Sequence, residues 1–428
     1  MIIHVVQPGD TIYSISGTYN ITVDKLIKDN GLEDIPQLVI GQTLVIVYPA
    51  ISYTVQEGDT LEYIANNFEV SIIQLLRNNP YLADREYIYP GEVIAIKYNR
   101  IGTIITNGFV YPFIDLNILR KTLPFLTYLT IFNYRATPEG YIISLDDEKI
   151  INLAKSYGVA PIMLLSPLST LSGDNYSISY NILYNEEIQD RLIYNVLNTM
   201  KAKGYYGLNI YIENVHPEVI ESIEIYLKKF TTILNNEGYP VTITLTPTTF
   251  DSQDNFANGK IDYTNIANTV DNILLLSYAW GYSYGPPGAV TPVNKIIETI
   301  NKIIPQIPAP KLNIGITAIG YDWQLPYIEG VSRASALSSN AVLQLAAAEN
   351  ATIMFDEVSL APYFYYSDNN QNNTPNHIVW FKDARSINEL LNIKTEYDVY
   401  GISIWNVMEF NTQMWLLINV HYDILTAL

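Results

Sequence analysis

"GYYGLNIYIENV", residues 204–215, sets aliphatic against polar side chains at a spacing of two. In an extended segment Leu208, Ile210 and Ile212 share one face, and Asn209, Tyr211 and Glu213 share the other. The stretch therefore reads as a buried strand carrying a single carboxylate at its end. The apolar face is expected to pack on outer helices. The polar face is expected to line the inside of a closed sheet, with Glu213 at the mouth.

Seven further runs have strand character: "TIITNGFVY", "LTYLTIFNY", "APIMLLS", "VTITLTPT", "NILLLSYAW", "LNIGITAIG" and "YGISIWNV". Between several of them lie amphipathic segments such as "EEIQDRLIYNVLNTMKAKG" and "EVIESIEIYLKKFTTILNNEG", each closing on Gly. This alternation predicts an α/β fold, a (β/α)8 barrel over residues 101–428, with working residues at the C-terminal strand ends. The stretch from "GYDWQLPY" to "WFKDARS", about 320–386, is too long for a plain connection and predicts a small α+β insertion after strand seven. Trp380, Phe381, Asp383 and Arg385 are expected to staple this insertion to the barrel. Tyr321 and Trp323 either border the cleft or pack against the insertion, and His216 and His421 read as ordinary surface or capping residues.

A duplication opens the chain. "HVVQPGDTIYSISGTYNITVDKLIKDNG" (4–31) aligns with "YTVQEGDTLEYIANNFEVSIIQLLRNNP" (53–80), and "VIGQTLVIV" with "IYPGEVIAI". Each copy reads strand, helix, helix, strand. Gly9-Asp10-Thr11 and Gly58-Asp59-Thr60 supply a turn and a helix N-cap. Ile12, Ile15 and Tyr19, like Leu61, Ile64 and Phe68, recur at helical spacing, and Asn30-Gly31 and Asn79-Pro80 are helix-stop signals.

Composition narrows the function classes. With 428 residues, 48% hydrophobic and 16% charged, the chain buries a substantial core and divides into more than one domain. A net charge of -19 without a Lys/Arg cluster argues against nucleic acid and anionic lipid as partners. No apolar run reaches the ~18 residues of a membrane span, and "MIIHVVQPGD" does not have the pattern of a signal peptide. Zero Cys excludes disulfides and thiolate sites, four scattered His argue against a metal site, and no cofactor is expected. The 35 Tyr supply flat amphipathic faces, which sugar clefts and insoluble protein layers both use.

The paired "V-Q-x-G-D-T-[IL]" starts resemble LysM modules, here residues 2–47 and 51–97. The resemblance implies binding of N-acetylglucosamine polymers, peptidoglycan or chitin, in a groove between the turn after the first strand and the loop before the last. It places there Gly9, Asp10, Thr11, Ile12 and Asn30 in the first copy, and Gly58, Asp59, Thr60, Leu61, Asn79, Pro80 and Ile88 in the second. Turn chemistry also accounts for the Gly, Asp and Thr residues, and core packing for Ile12 and Leu61. Two weak modules in tandem gain avidity on a polymer.

"YYGLNIYIE" in turn resembles the strand-four signature of glycoside hydrolase family 18, Asp-Gly-x-Asp-x-Asp-x-Glu, with support from "LLLSYAWGYSYGPPGAV", "IGITAIGYDWQLPY", "HIVWFKDARS" and "YGISIWNV". The resemblance implies Glu213 as acid/base, Tyr278 as a donor to the substrate acetamide and Trp405 as the floor under the scissile sugar. The substrate's own acetamide would be the nucleophile. Two LysM modules before such a barrel resemble the cortex-fragment-cleaving enzymes of endospore formers, which implies a spore envelope location, in coat or cortex. The sequence departs from the signature at Tyr206 and Asn209, at Tyr211 in the place of the acetamide-orienting acid, and at Ala279 after Tyr278. Neither Tyr211 nor Ala279 supplies an anion at pH 7. The expected function is thus glycan binding in an envelope with an impaired or inactive barrel. Two alternatives stand: an active β-N-acetylglucosaminidase using Glu213, with Tyr211 donating to the acetamide, and a Tyr-rich self-assembling coat component partnered by envelope proteins.

Overall fold

The computed structural model describes residues 1–35, 37–83, 85, 87–169, 174–213, 219–245, 262–276, 283–368 and 376–428, with backbone alone at 167–169, 174–177 and 213. Eight parallel strands close into a barrel: β1 (Gly102–Val110), β2 (Tyr128–Ala136), β3 (Ala160–Ser169), β4 (Gly207–Glu213), β5 (Val241–Leu245), β6 (Asn272–Leu275), β7 (Leu312–Thr317) and β8 (Gly401–Trp405). Each pairs with its sequence neighbour, and β8 pairs with β1 to complete the ring.

The alternation on β4 works as the sequence implies. Leu208, Ile210 and Ile212 are buried in the shell between the strands and the outer helices, among them Glu186–Lys203 and Ile220–Asn236. The first of these helices starts where the Asn185 side chain accepts from Ile188 N and stops where Gly204 takes a left-handed φ of 71°, the two ends of a helix that sequence marks most clearly.

After β7 the insertion forms a five-stranded antiparallel sheet, in the order Ser335–Leu337, Gly320–Gln324, His377–Trp380, Ala361–Tyr366 and Met354–Asp356, with the helix Ser339–Ala348 beside it. Trp323 is buried and donates from Nε1 to Gly285 O at 2.9 Å, so of its two readings packing is the one realised. Asp383 caps the helix Ala384–Tyr397 and holds Arg385 at 2.6 Å. Arg385 in turn lies 4.0 Å over the Phe355 ring and reaches Gly41 O at 3.4 Å. The "WFKDARS" run thus fastens the insertion to the barrel and also touches the first N-terminal unit.

Each N-terminal unit is a βααβ fold: Ile2–Val5, Ile12–Tyr19, Val23–Asn30 and Thr43–Ile46, then Ile51–Thr54, Leu61–Asn67, Ile72–Asn78 and Val93–Lys97. Both units lean on the barrel. Buried Arg77 donates to Pro124 O at 2.7 Å and Ile424 O at 3.3 Å, and Arg100 donates to Asn419 O at 2.8 Å. Gln413, on the barrel helix Thr412–His421, donates to Asn30 Oδ1 at 3.0 Å and Thr43 O at 2.7 Å. Val45, Val47, Ala95 and Tyr98 continue the barrel's own core.

Candidate functional site at the barrel mouth

Stepping two residues at a time along the strands separates the interior into layers. Lowest lies a cavity of about 50 Å³ to which all eight strands contribute, through Asn107, Thr130, Ile162, Asn209, Thr242, Asn272, Asn313 and Ser403 among others. No described residue lining it carries a charged side chain. Among its polar groups, Thr130 Oγ1 donates to Asn107 Oδ1 at 2.8 Å and Asn107 Nδ2 to Ser403 Oγ at 3.3 Å, and from the level of Tyr211 above, Thr244 Oγ1 donates down to Asn209 Oδ1 at 2.8 Å. Burial, followed by a 3.2 Å hydrogen bond to Tyr400 OH, pushes the Tyr128 phenol well above its ordinary range, so this floor stays neutral.

Two residues further along the same strands, the chemistry changes. Phe109, Phe132, Tyr211 and Trp405 follow Asn107, Thr130, Asn209 and Ser403, and with Leu164, Leu274 and Leu276 they make an apolar layer. Tyr211 is half-buried within it, so the position where the family signature has an acid belongs here to a wall of hydrocarbon and rings. Two residues beyond Tyr211, at the C-terminal end of β4 and paired with Ser169, stands the backbone of Glu213. The Glu213 side chain lies outside the described residues, as do Tyr278, Ala279 and His216.

Trp405 sits where β8 ends. Its ring is 5.1 Å from Phe132, 5.5 Å from Phe109 and 6.0 Å from Tyr111. Tyr111 stacks on Phe113 at 5.3 Å and 22°, and Phe113 is 78% exposed. These rings make a ladder from the barrel mouth to solvent. The sequence reading overlooked Tyr111 and Phe113, although "VYPF" at 110–113 places two aromatics two residues apart directly after a barrel strand. If an oligosaccharide runs along this ladder, Phe113→Ala is expected to raise KM for a chitin hexamer about two- to tenfold, the range of one ring contact, with kcat unchanged. Equal losses on hexamer and disaccharide would remove the ladder from substrate binding.

The residues expected to line grooves in the N-terminal units fall into three groups. Gly9, Thr11, Gly58 and Thr60 are exposed, and Asp10 and Asp59 half-buried. Thr11 and Thr60 cap the first helices, while Asp10 and Asp59 accept from Gln7 N and Gln56 N at 2.7 Å. Ile12, Leu61 and Ile88 pack half-buried on the cores of their units, and Pro80 opens a 3₁₀ turn. Asn30 and Asn79 are held differently. Both are buried, with side-chain amides bridging to the backbone of Val45 and Ala95 (Val45 N at 2.6 Å, Ala95 N at 2.8 Å). They pin the second helix to the last strand.

Comparison with known proteins agrees with this geometry. Residues 165–409 match the model for glycosyl hydrolases family 18, and residues 4–47 and 53–97 match that for the LysM domain. The chain is 35% identical to a cortical fragment-lytic enzyme of Bacillus anthracis, covering 98% of both chains, and 31% identical to one of Bacillus subtilis strain 168, covering 99% of both. The crystal structure of the Bacillus cereus spore cortex-lytic enzyme SleL superposes with a TM-score of 0.79 at 31% identity over 99% of each chain. With a closed eight-stranded barrel, Glu213 ending its fourth strand and likeness along the full length, this chain belongs to glycosyl hydrolase family 18, its barrel preceded by two LysM modules.

Proposed function

We propose that this chain is a slow β-N-acetylglucosaminidase acting on peptidoglycan of the spore cortex, with modules at 2–47 and 51–97 that hold the glycan and a barrel at 101–428 that cleaves it. The observation that carries the reading is the end-to-end likeness, at 31–35% identity, to proteins named for cortical fragment lysis. The expectation of an inactive barrel draws no support from these relatives.

Glu213 is the acid/base in this reading. It protonates the glycosidic oxygen as the substrate's acetamide oxygen attacks the anomeric carbon; the C–O bond breaks and an oxazolinium ion forms. Glu213, now ionised, then takes a proton from the water that opens the ring. Trp405 stacks on the sugar, and Tyr278 donates to its acetamide. Tyr211 supplies a phenol where the cation would be matched by a carboxylate, so orientation is retained at best and the counter-charge is lost. Asn209 does not replace it, because it sits one layer lower with its Oδ1 accepting from Thr244.

Incubation with N-acetylated peptidoglycan fragments and chitin oligomers is expected to release new reducing ends. Their complete absence would leave glycan binding alone. Tyr211→Asp combined with Ala279→Asp is expected to raise kcat about tenfold. This lies below the ~10²–10³ that a preorganised electrostatic group supplies, because the new carboxylate at 211 enters an apolar layer. An unchanged kcat would show that the missing acids do not limit the rate.

A further inference from the structure

The two modules are alike in sequence and fold, yet the structure treats their loops before the last strand in opposite ways. Gly41 and Gly91 are equivalent: Gly41 N donates to Val6 O at 2.9 Å with φ of 85°, and Gly91 N to Val55 O at 2.8 Å with φ of 90°. Counting back from these glycines, Val39 matches Tyr89 and Gln37 matches Tyr87.

In the first module this loop is consumed by docking. Val39 is 4% exposed and belongs to the insertion's core, with Val342, Phe364 and Phe381. Gln37 donates to Ala347 O at 3.2 Å, and Ile40 O accepts from Ile353 N at 2.9 Å. Even a methyl group at Gly41 would meet Ile353 O at 1.9 Å. In the second module the same loop is open. A Cβ at Gly91 would meet nothing within 4 Å, and Tyr87 and Tyr89 are 71% and 59% exposed.

The open loop is also braced. Glu92 accepts from Tyr89 N at 3.0 Å and pairs with Arg85 at 2.6 Å, and the Arg85 guanidinium lies over the Tyr81 ring. Through Val55 the loop lies beside the Gln56–Thr60 turn, whose Gly58 is likewise open. Two amphipathic rings on a fixed loop beside a turn of exposed backbone suit the apolar faces and polar rims of sugar rings.

We infer that the modules divide their work: the second binds the N-acetylhexosamine polymer through Tyr87 and Tyr89, and the first is a structural wedge between insertion and barrel. This rests on the reading that the N-terminal modules hold the glycan, and narrows that role to the second. It follows that the avidity expected from two modules is not available to this chain, because only one has both groove walls free.

The test uses the full chain with Glu213→Gln throughout, so that the polymer survives, and measures retention on insoluble chitin and on N-acetylated peptidoglycan. Tyr87→Ala with Tyr89→Ala is expected to weaken binding about tenfold, the worth of two ring contacts. Tyr13→Ala, removing a ring 74% exposed on the first module, is expected to stay within about twofold of the parent, since no ring contact is lost. Equal losses in both variants would overturn the division of work while leaving glycan binding by the modules intact. Parent-like retention of both would overturn the proposal together with the reading beneath it, by assigning binding to the barrel.

Discussion

Glu213→Gln is expected to lower kcat on N-acetylated peptidoglycan fragments by about 10²–10⁴-fold, the usual worth of a positioned proton donor, and to leave retention on insoluble polymer unchanged. The leaving group is a sugar alkoxide, which departs only when protonated. An amide of the same shape has no acidic proton to give. The substrate provides its own nucleophile in this mechanism, so no second protein carboxylate carries the reaction when Glu213 is gone. The acetamide contacts survive the change, so KM is expected to move little. A time course of reducing ends at several pH values checks this. Turnover that persists in the variant with an unshifted pH profile would assign the proton to another group.

What the sequence shows about this molecule follows the range of the interactions involved. All eight barrel strands, the insertion and both modules were legible because alternation, helical stripes and Gly stops are local signals. The Asn30-Gly31 and Asn79-Pro80 pairs were correctly read as helix ends. Each of their amides bonds to a strand 15 or 16 residues away, and no local pattern announces that contact. The inequality of the modules was out of reach for the same reason: the repeat makes them look alike, while Ile353 and Arg385, which close the first module's loop, come from more than 300 residues later. Tyr211 was visible as a departure at the right position. Its neighbours Phe109, Leu164 and Leu274, contributed by three other strands, make the departure consistent with its surroundings. The Tyr111–Phe113 pair received no role because stacking and exposure are properties of the closed barrel mouth.

Lys382→Met is expected to stabilise the protein by about 2–4 kcal/mol at pH 7 and to flatten its stability between pH 7 and 10. Lys382 is 7% exposed at the junction of the first module, the insertion and the barrel, and its Nζ donates to Thr291 Oγ1. The neighbouring carboxylate of Asp383 is committed to Arg385 and to the start of its helix. Burial lowers the Lys382 amine from 10.5 to about 7. Above 10.5 the amine is neutral in both folded and unfolded chains and has no effect on their balance. Between 10.5 and about 7 the unfolded chain holds a proton that the folded chain lacks, so stability falls as pH drops and levels off below about 7. At 1.36 kcal/mol per pH unit the full window corresponds to about 5 kcal/mol, reduced by loss of the Thr291 bond. Methionine keeps the unbranched apolar stem and removes the charge together with the Thr291 bond. Urea unfolding at pH 7, 8.5 and 10 measures the difference. A parental pH slope that persists in Lys382→Met would place the titration elsewhere. A flattened slope would show that this junction, where the first module meets the barrel, is held together at a cost in stability.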